Sequence, residues 1–338
     1  MTKRRSAGVR VLAILLAFHT PNASAWNDSG HMIAALIAFD QLPPDVRAAA
    51  GKLLHAHPRF YEDFESQLPR NLVKATAAEQ DRWYFAFGAT WPDEARRFAR
   101  VRGAAAREAL IARYNRSSWH YINLPIYLRS TDRRELHKPA PSMRWSPELD
   151  QAKLNIVQAL EMLTTLWCDP RQTDAEHALA LSWLVHLVAD LQQPLHTAAL
   201  YAVPVFIHGD RGGNDIAVVG GTNLHALWDG ALGDERRNQW LATIARQYGQ
   251  AHVPDAAVNF QRWAKEGRTL AAAAVYTTDV RDAVAIATQA APPRVRLDAD
   301  YRTAMRATAQ DRIGIAGHRL AEVIKRLFAV AAPPLCHR

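Results

Sequence analysis

The sequence predicts an all-α protein, a multi-helix bundle with one small β-hairpin, and three observations carry that prediction. Apolar residues recur at helical spacing over most of the chain, as at Leu149, Ile156, Leu160, Leu163 and Trp167, and again at Leu320, Val323, Ile324 and Leu327. Long alternating runs of the strand type are scarce, and Pro-rich or polar connectors such as 137–146 and 292–294 separate the periodic stretches. The exception is 203–220, where Val203 to Ile207 and Ile216 to Val219 flank a glycine-rich turn, Asp210-Arg211-Gly212-Gly213-Asn214-Asp215.

At the amino terminus, Lys3, Arg4, Arg5 and Arg10 precede the apolar run Val11 to Phe18, which ends in Ala23-Ser24-Ala25. The run is too short to span a bilayer and has the layout of an export signal. Residues 1–25 are therefore expected to be removed, leaving Trp26 first and the protein exported, periplasmic or secreted. Helices are predicted over 30–41, 44–56, 76–88, 103–114, 147–166, 174–191, 224–231, 236–248, 255–282 and 298–330. Residues 26–338 are read as a single catalytic domain without internal repeats.

Composition narrows the function. The chain holds 41 Lys and Arg against 33 Asp and Glu; without the four basic residues ahead of Trp26 the balance is 37 against 33. That excess is small, and no dense Lys/Arg run accompanies it, which argues against a protein that only coats nucleic acid. No second apolar run approaches the roughly 18 residues of a membrane helix, so no stable membrane association is expected, and a monomer is assumed. The two cysteines, Cys168 and Cys336, are too few for a thiolate zinc site; in an oxidising compartment they can pair, though spacing alone leaves this open.

The chemistry concentrates in His and Asp. His186 and Asp190 are four apart within Trp183-Leu-Val-His186-Leu-Val-Ala-Asp190-Leu, on one face of an otherwise apolar helix. Buried without partners they would be costly, and a divalent cation removes that cost. A mixed N/O set favours zinc over calcium or magnesium. His196 follows just after that helix, and Asn223-Leu-His225-Ala-Leu-Trp-Asp229 repeats the spacing. Trp26-Asn-Asp-Ser-Gly-His31 adds a terminal amine and carbonyl that can chelate, with a histidine close behind. Trp91-Pro-Asp93-Glu-Ala-Arg96 and His120-Tyr121-Ile-Asn123-Leu-Pro125 place further ligand types beside aromatic residues.

Together these motifs resemble the zinc-dependent single-strand nuclease and 3′-nucleotidase family of the S1/P1 type, related to the bacterial zinc phospholipases C. The resemblance implies a helical fold of that kind and three Zn2+ ions. Asp93, His120, His186 and Asp190 would hold one; Trp26, through its amine and carbonyl, would hold its neighbour with His31 and Asp190; His196, His225 and Asp229 would hold the third. It implies hydrolysis of single-stranded DNA, RNA and 3′-nucleotides by a zinc-activated hydroxide, giving 5′-phosphates. Asp93 and Arg96 would be catalytic, and Tyr121, Asn123 and Asn214 substrate-binding. The sequence departs from the family at Asn27, Ala189, Gln192 and Asn123, none expected to bear on zinc. Two rival readings are a zinc phospholipase C, which the terminal Asp229 disfavours, and a secreted binding protein whose helices zinc merely staples.

Overall fold

The computed structural model describes residues 26–251, 253 and 257–329, so the expected export signal and Cys336 lie outside the described residues. Cys168 is disulfide-bonded. The mostly helical expectation holds. In chain order the helices are α1 (Asp28–Asp40), α2 (Pro44–Leu54), α3 (Ala77–Gly88), α4 (Trp91–Arg97), α5 (Ala104–Tyr114), α6 (Ser130–Leu136), α7 (Ile156–Trp167), α8 (Asp174–Asp190), α9 (Leu224–Asp229), α10 (Asn238–Tyr248), α11 (Phe260–Leu270), α12 (Thr278–Ala285) and α13 (Ala299–Leu327).

The strongest helix starts have a local cause. Thr76 with Glu79, Asn155 with Gln158 and Thr173 with Glu176 form reciprocal capping boxes at α3, α7 and α8. The box at Asn155 explains why α7 starts at Ile156, later than the 147 expected from apolar spacing. Cys168 caps the C-terminal end of this helix. The expected continuous helix 255–282 is instead broken: α11 ends in a π-type turn at Ala271–Val275, and Tyr276 leaves helical geometry before α12. That break frees Tyr276 to donate its hydroxyl to the buried Asp210. The short α4 and α6 were not expected; α4 carries Asp93 and Arg96.

From Ala178 onward, nearly every residue of α8 is buried, as in a helix surrounded on all sides. It packs against α2, α4, α7 and α13, while α1 lies between α3, α10 and α13. At the α1–α13 crossing a Cβ on Gly317 would stand 2.4 Å from Ile37 Cβ, so only glycine permits that approach.

The strands correct the hairpin expectation. β1 (Leu124–Tyr127) pairs in parallel with β2 (Ala198–Tyr201), Leu124 opposite Ala198, and β3 (Ala217–Val218) pairs in parallel with β4 (Arg294–Val295). Antiparallel pairing around 203–220 is limited to isolated bridges, Ala202 to Phe206 and Ala217 to Asn223, and the two apolar runs do not pair with each other. Pro204 offers no ladder donor, and Val205, Phe206 and Ile216 pack on the core instead of on one another as strands. β1 follows His120 and β2 follows His196, so their pairing draws these two histidines together across the α6–α7–α8 crossover.

Candidate metal centre

At the end of α8 the polar pair found in the sequence meets side chains from five other segments. Three groups form in which the ligand atoms all lie within 4.8 Å of one another: His31, His186 and Asp190; Asp93, His120 and His186; and His196, His225 and Asp229. All eight residues are buried. His31 comes from α1, Asp93 from the first turn of α4, His120 from the turn before β1, His196 from the turn before β2, and His225 and Asp229 from α9.

The histidines are oriented by backbone carbonyls. His186 Nδ1 donates to Ala89 O at 2.7 Å, His196 Nδ1 to His120 O at 2.5 Å and His225 Nδ1 to Gly212 O at 2.7 Å. Each bond fixes the tautomer that leaves Nε2 as a lone pair, the arrangement found around metal-bound imidazoles. His196 Nε2 and His225 Nε2 then face each other at 3.1 Å with no proton between them. Two opposed lone pairs at that distance need a cation. Asp190 Oδ2 sits 3.0 Å from His120 Nδ1 and 3.1 Å from His186 Nε2, and Asp190 Oδ1 lies 3.2 Å from His31 Nε2. Asp190 thus bridges two of the groups. The His31 and His186 rings stack at 4.0 Å.

Six ligand-type atoms in this cluster are buried without a hydrogen-bond partner: both ring nitrogens of His31, both oxygens of Asp93, Asp190 Oδ1 and Asp229 Oδ2. Unsatisfied polar atoms cost about 1–3 kcal/mol each, more when charged. Six in one place are explained by divalent ions, so the residues fit the metal set that the sequence suggested.

Most protonation tendencies agree; His186 is the exception among the imidazoles, where burial disfavours the charged form but Asp190 outweighs it and raises the pKa. Burial, with Arg96 beside it, pushes the His120 imidazole down to about 3; burial, with His196 beside it, does the same to His225. Burial opposes the charge on Asp190, but His186 and His196 outweigh it and hold the carboxyl well below the ordinary range. Arg96 and the imidazoles likewise overcome burial to lower Asp93. Burial raises Asp229 far above the usual value, against the hydrogen bond from Gln193. Neutral imidazoles and ionised carboxylates are the forms a metal accepts, and an adjacent cation removes the penalty that Asp229 carries.

Gln193 is a residue to which sequence reasoning gave no role. Fully buried, it donates Nε2 to Asp229 Oδ1 at 2.7 Å and accepts from Leu195 N–H at 2.6 Å, tying two ligand-bearing segments together. Its place between Asp190 and His196, directly before Pro194, was the available signal. Neighbouring Gln192 turns the other way, and its Oε1 receives Arg312 and Arg319 from α13. Gly212 makes the close approach beside His225: its φ is 61°, and a Cβ there would stand 2.5 Å from Leu195 O.

Above the cluster lies a cleft of about 260 Å³, lined among others by Arg96, Tyr121, Asn123, Asn214 and the two histidines His196 and His225. Arg96 Nε stands 3.3 Å from both Asp93 Oδ1 and His120 Nε2. Tyr121 is 42% exposed, unlike the buried rings around it. Asn214 donates to Arg211 O at 2.8 Å, which holds the glycine-rich turn at the rim. Trp26 is fully buried, its indole donating to Ala189 O at 3.1 Å, so the segment leading to His31 is pinned beside Asp190. Every residue expected from the sequence to act at the site therefore lies in or beside one cluster.

A sequence model of the family described as S1/P1 Nuclease matches residues 26–329. The chain belongs to the S1/P1 nuclease family. It is a metal-dependent nuclease, a hydrolase of phosphodiester bonds. Endonuclease 5 of Arabidopsis thaliana is 24% identical to this nuclease over 96% of its chain and 98% of the relative. The matched span covers all three buried groups and the cleft.

Proposed function

We propose that the protein cleaves single-stranded DNA and RNA and the phosphate of 3′-nucleotides, with three zinc ions, releasing 5′-phosphates from polynucleotides. The observation that carries this reading is the opposed His196 and His225 lone pairs and orphaned carboxylates beneath a cleft that also presents Arg96 and an exposed Tyr121. Asp93, His120, His186 and Asp190 would hold one ion, and Trp26 through its amine and carbonyl, His31 and Asp190 a second. His196, His225 and Asp229 would hold the third. When bound, the ions supply Lewis acidity, making water a nucleophile near neutral pH and drawing charge off phosphoryl oxygens.

The chain's own residues do the rest. Asp93 orients the attacking water and takes its proton, its carboxylate having no other hydrogen-bond partner. Arg96, held beside Asp93, neutralises charge that grows on the non-bridging phosphoryl oxygens. Tyr121 stacks on a base without discriminating among bases, and Asn123 reads a base edge with an amide that both donates and accepts. Asn214 keeps the rim turn in place and contacts the nucleotide. Residues 1–25 act as an export signal whose removal frees the Trp26 amine, placing the mature protein in the periplasm or the medium as one catalytic domain, monomeric and without membrane attachment.

The test is an assay of protein starting at Trp26 on single-stranded DNA, RNA, a 3′-nucleotide and phosphatidylcholine. Turnover of the first three, abolished by chelator and restored by zinc, is expected. Turnover of the lipid alone would make it a phospholipase, and no turnover of any substrate with full zinc loading would leave a binding protein. A tag retained ahead of Trp26 should depress activity, and equal rates with and without it would contradict the role of the amine.

A further inference from the structure

The cleft above the cluster does not end at Tyr121. A second cleft of about 360 Å³ adjoins it and shares Tyr121 and Asn123 with the first. It is large enough for a nucleotide, since small-molecule pockets run from about 300 to 1,000 Å³. Its lining includes Lys138, Lys153, Asn155 and Tyr201 and contains no carboxylate.

The ridge between the two clefts is rigid. Ile122 N–H donates to His196 O at 2.7 Å, and Tyr121 O accepts from Ile156 N–H at 3.1 Å, so the backbone on either side of the ring is pinned to the metal-bearing segment and to α7. The ring itself stands in solvent. Lys138 is fixed through its carbonyl, which accepts from Tyr127 Oη at 3.0 Å, while its ammonium makes no ion pair among the described residues. Lys153 meets only Asp150, at 3.0 Å, with side chains 82% and 52% exposed. An exposed pair of that kind is worth little and yields to a better anion. With Arg96 and Arg211 lining the first cleft, cations therefore line both of the clefts that meet at the exposed Tyr121.

We propose that the cleft beyond Tyr121 is the subsite for the adjoining nucleotide of a single strand, whose phosphate is met by Lys138 and Lys153. This rests on the nuclease reading above and adds what that reading lacks: a reason for the enzyme to prefer a strand over a single nucleotide. A flexible strand can splay its bases on the two sides of the ring, whereas stacked duplex bases cannot enter. The lysines touch no reacting atom; they determine specificity.

The test compares the unaltered enzyme with the double variant Lys138→Gln/Lys153→Gln on a single-stranded oligonucleotide and on bis(p-nitrophenyl) phosphate, a diester small enough to fill the metal cleft alone. We expect kcat/KM for the oligonucleotide to fall roughly tenfold, mostly through KM. Its dependence on salt should become shallower by about 1.4 on a log–log plot, the value for two contacts to single-strand phosphates. Turnover of the small diester should stay within a factor of two, and Lys138→Arg/Lys153→Arg should restore the slope. An unchanged salt slope, or equal losses on both substrates, would overturn the subsite while leaving the nuclease reading intact. Failure of the unaltered enzyme to cleave the oligonucleotide would sink both.

Discussion

Replacing Gln193 by Leu tests the architecture of the centre without touching a ligand. The side chain is fully buried and makes two bonds, to Asp229 Oδ1 at 2.7 Å and from Leu195 N–H at 2.6 Å. Leucine fills a similar volume, so packing is largely kept and the loss is polar. A bond to a charged group contributes about 1.5–3 kcal/mol, and a buried donor left unsatisfied costs about 1–3 kcal/mol. Together these predict destabilisation of roughly 3–5 kcal/mol. Asp229 would also lose the contact that turns Oδ2 toward His225, from which it stands 3.4 Å. Partners of this kind typically carry about 10–100-fold in metal affinity. Urea denaturation reads the first effect, and competition for zinc against a chromogenic chelator reads the second, which should weaken one class of ion and spare the others. A variant with parental stability and an unchanged zinc titration would refute the reasoning.

Three further outcomes follow from the geometry. Gly212→Ala should lose about 1–3 kcal/mol, because its φ of 61° and the 2.5 Å approach to Leu195 O leave no room for a methyl group; thermal denaturation at the parental midpoint would contradict this. Burial pushes the Asp210 carboxyl up to about 7, so the folded chain keeps a proton that the unfolded chain releases near 4. The stability this group contributes is thus present below about pH 4 and lost as pH rises toward 7. Relative to Asp210→Asn, which has no such slope, the parent should lose up to about 4 kcal/mol across that window, measured by denaturant titration at each pH; parallel profiles would show that Asp210 does not titrate there. Tyr121→Ala should weaken strand binding by about 1–3 kcal/mol, read as a rise in KM, with folding unaffected; an unchanged KM would remove the ring from recognition.

Much of this site was legible in the sequence because its signals are local. His186 and Asp190 announce themselves as polar residues four apart in an apolar helix, and α9 repeats the pattern within seven residues. The helices were readable for the same reason, through periodicity and capping boxes. Other features depend on contacts between distant segments. The 203–220 stretch carries strand-like side chains, yet β3 finds its partner at Arg294–Val295 rather than across the turn. The break between α11 and α12 serves the bond from Tyr276 to Asp210, 66 positions away, which no window of local sequence reports. Gln193 stands between Asp190 and His196 in the sequence, but its role depends on where Asp229 arrives.

The parallel pairing of β1 with β2 also bears on how the enzyme acquires its metal. His120 and His196 are separated by 76 positions, and Asp229 must join them after a further stretch of chain. Closing such long loops carries an entropic cost before any reward from the contacts they bring. A partly folded chain would offer scattered histidines but no cage. Each complete ligand group therefore exists only where segments distant in the chain have come together.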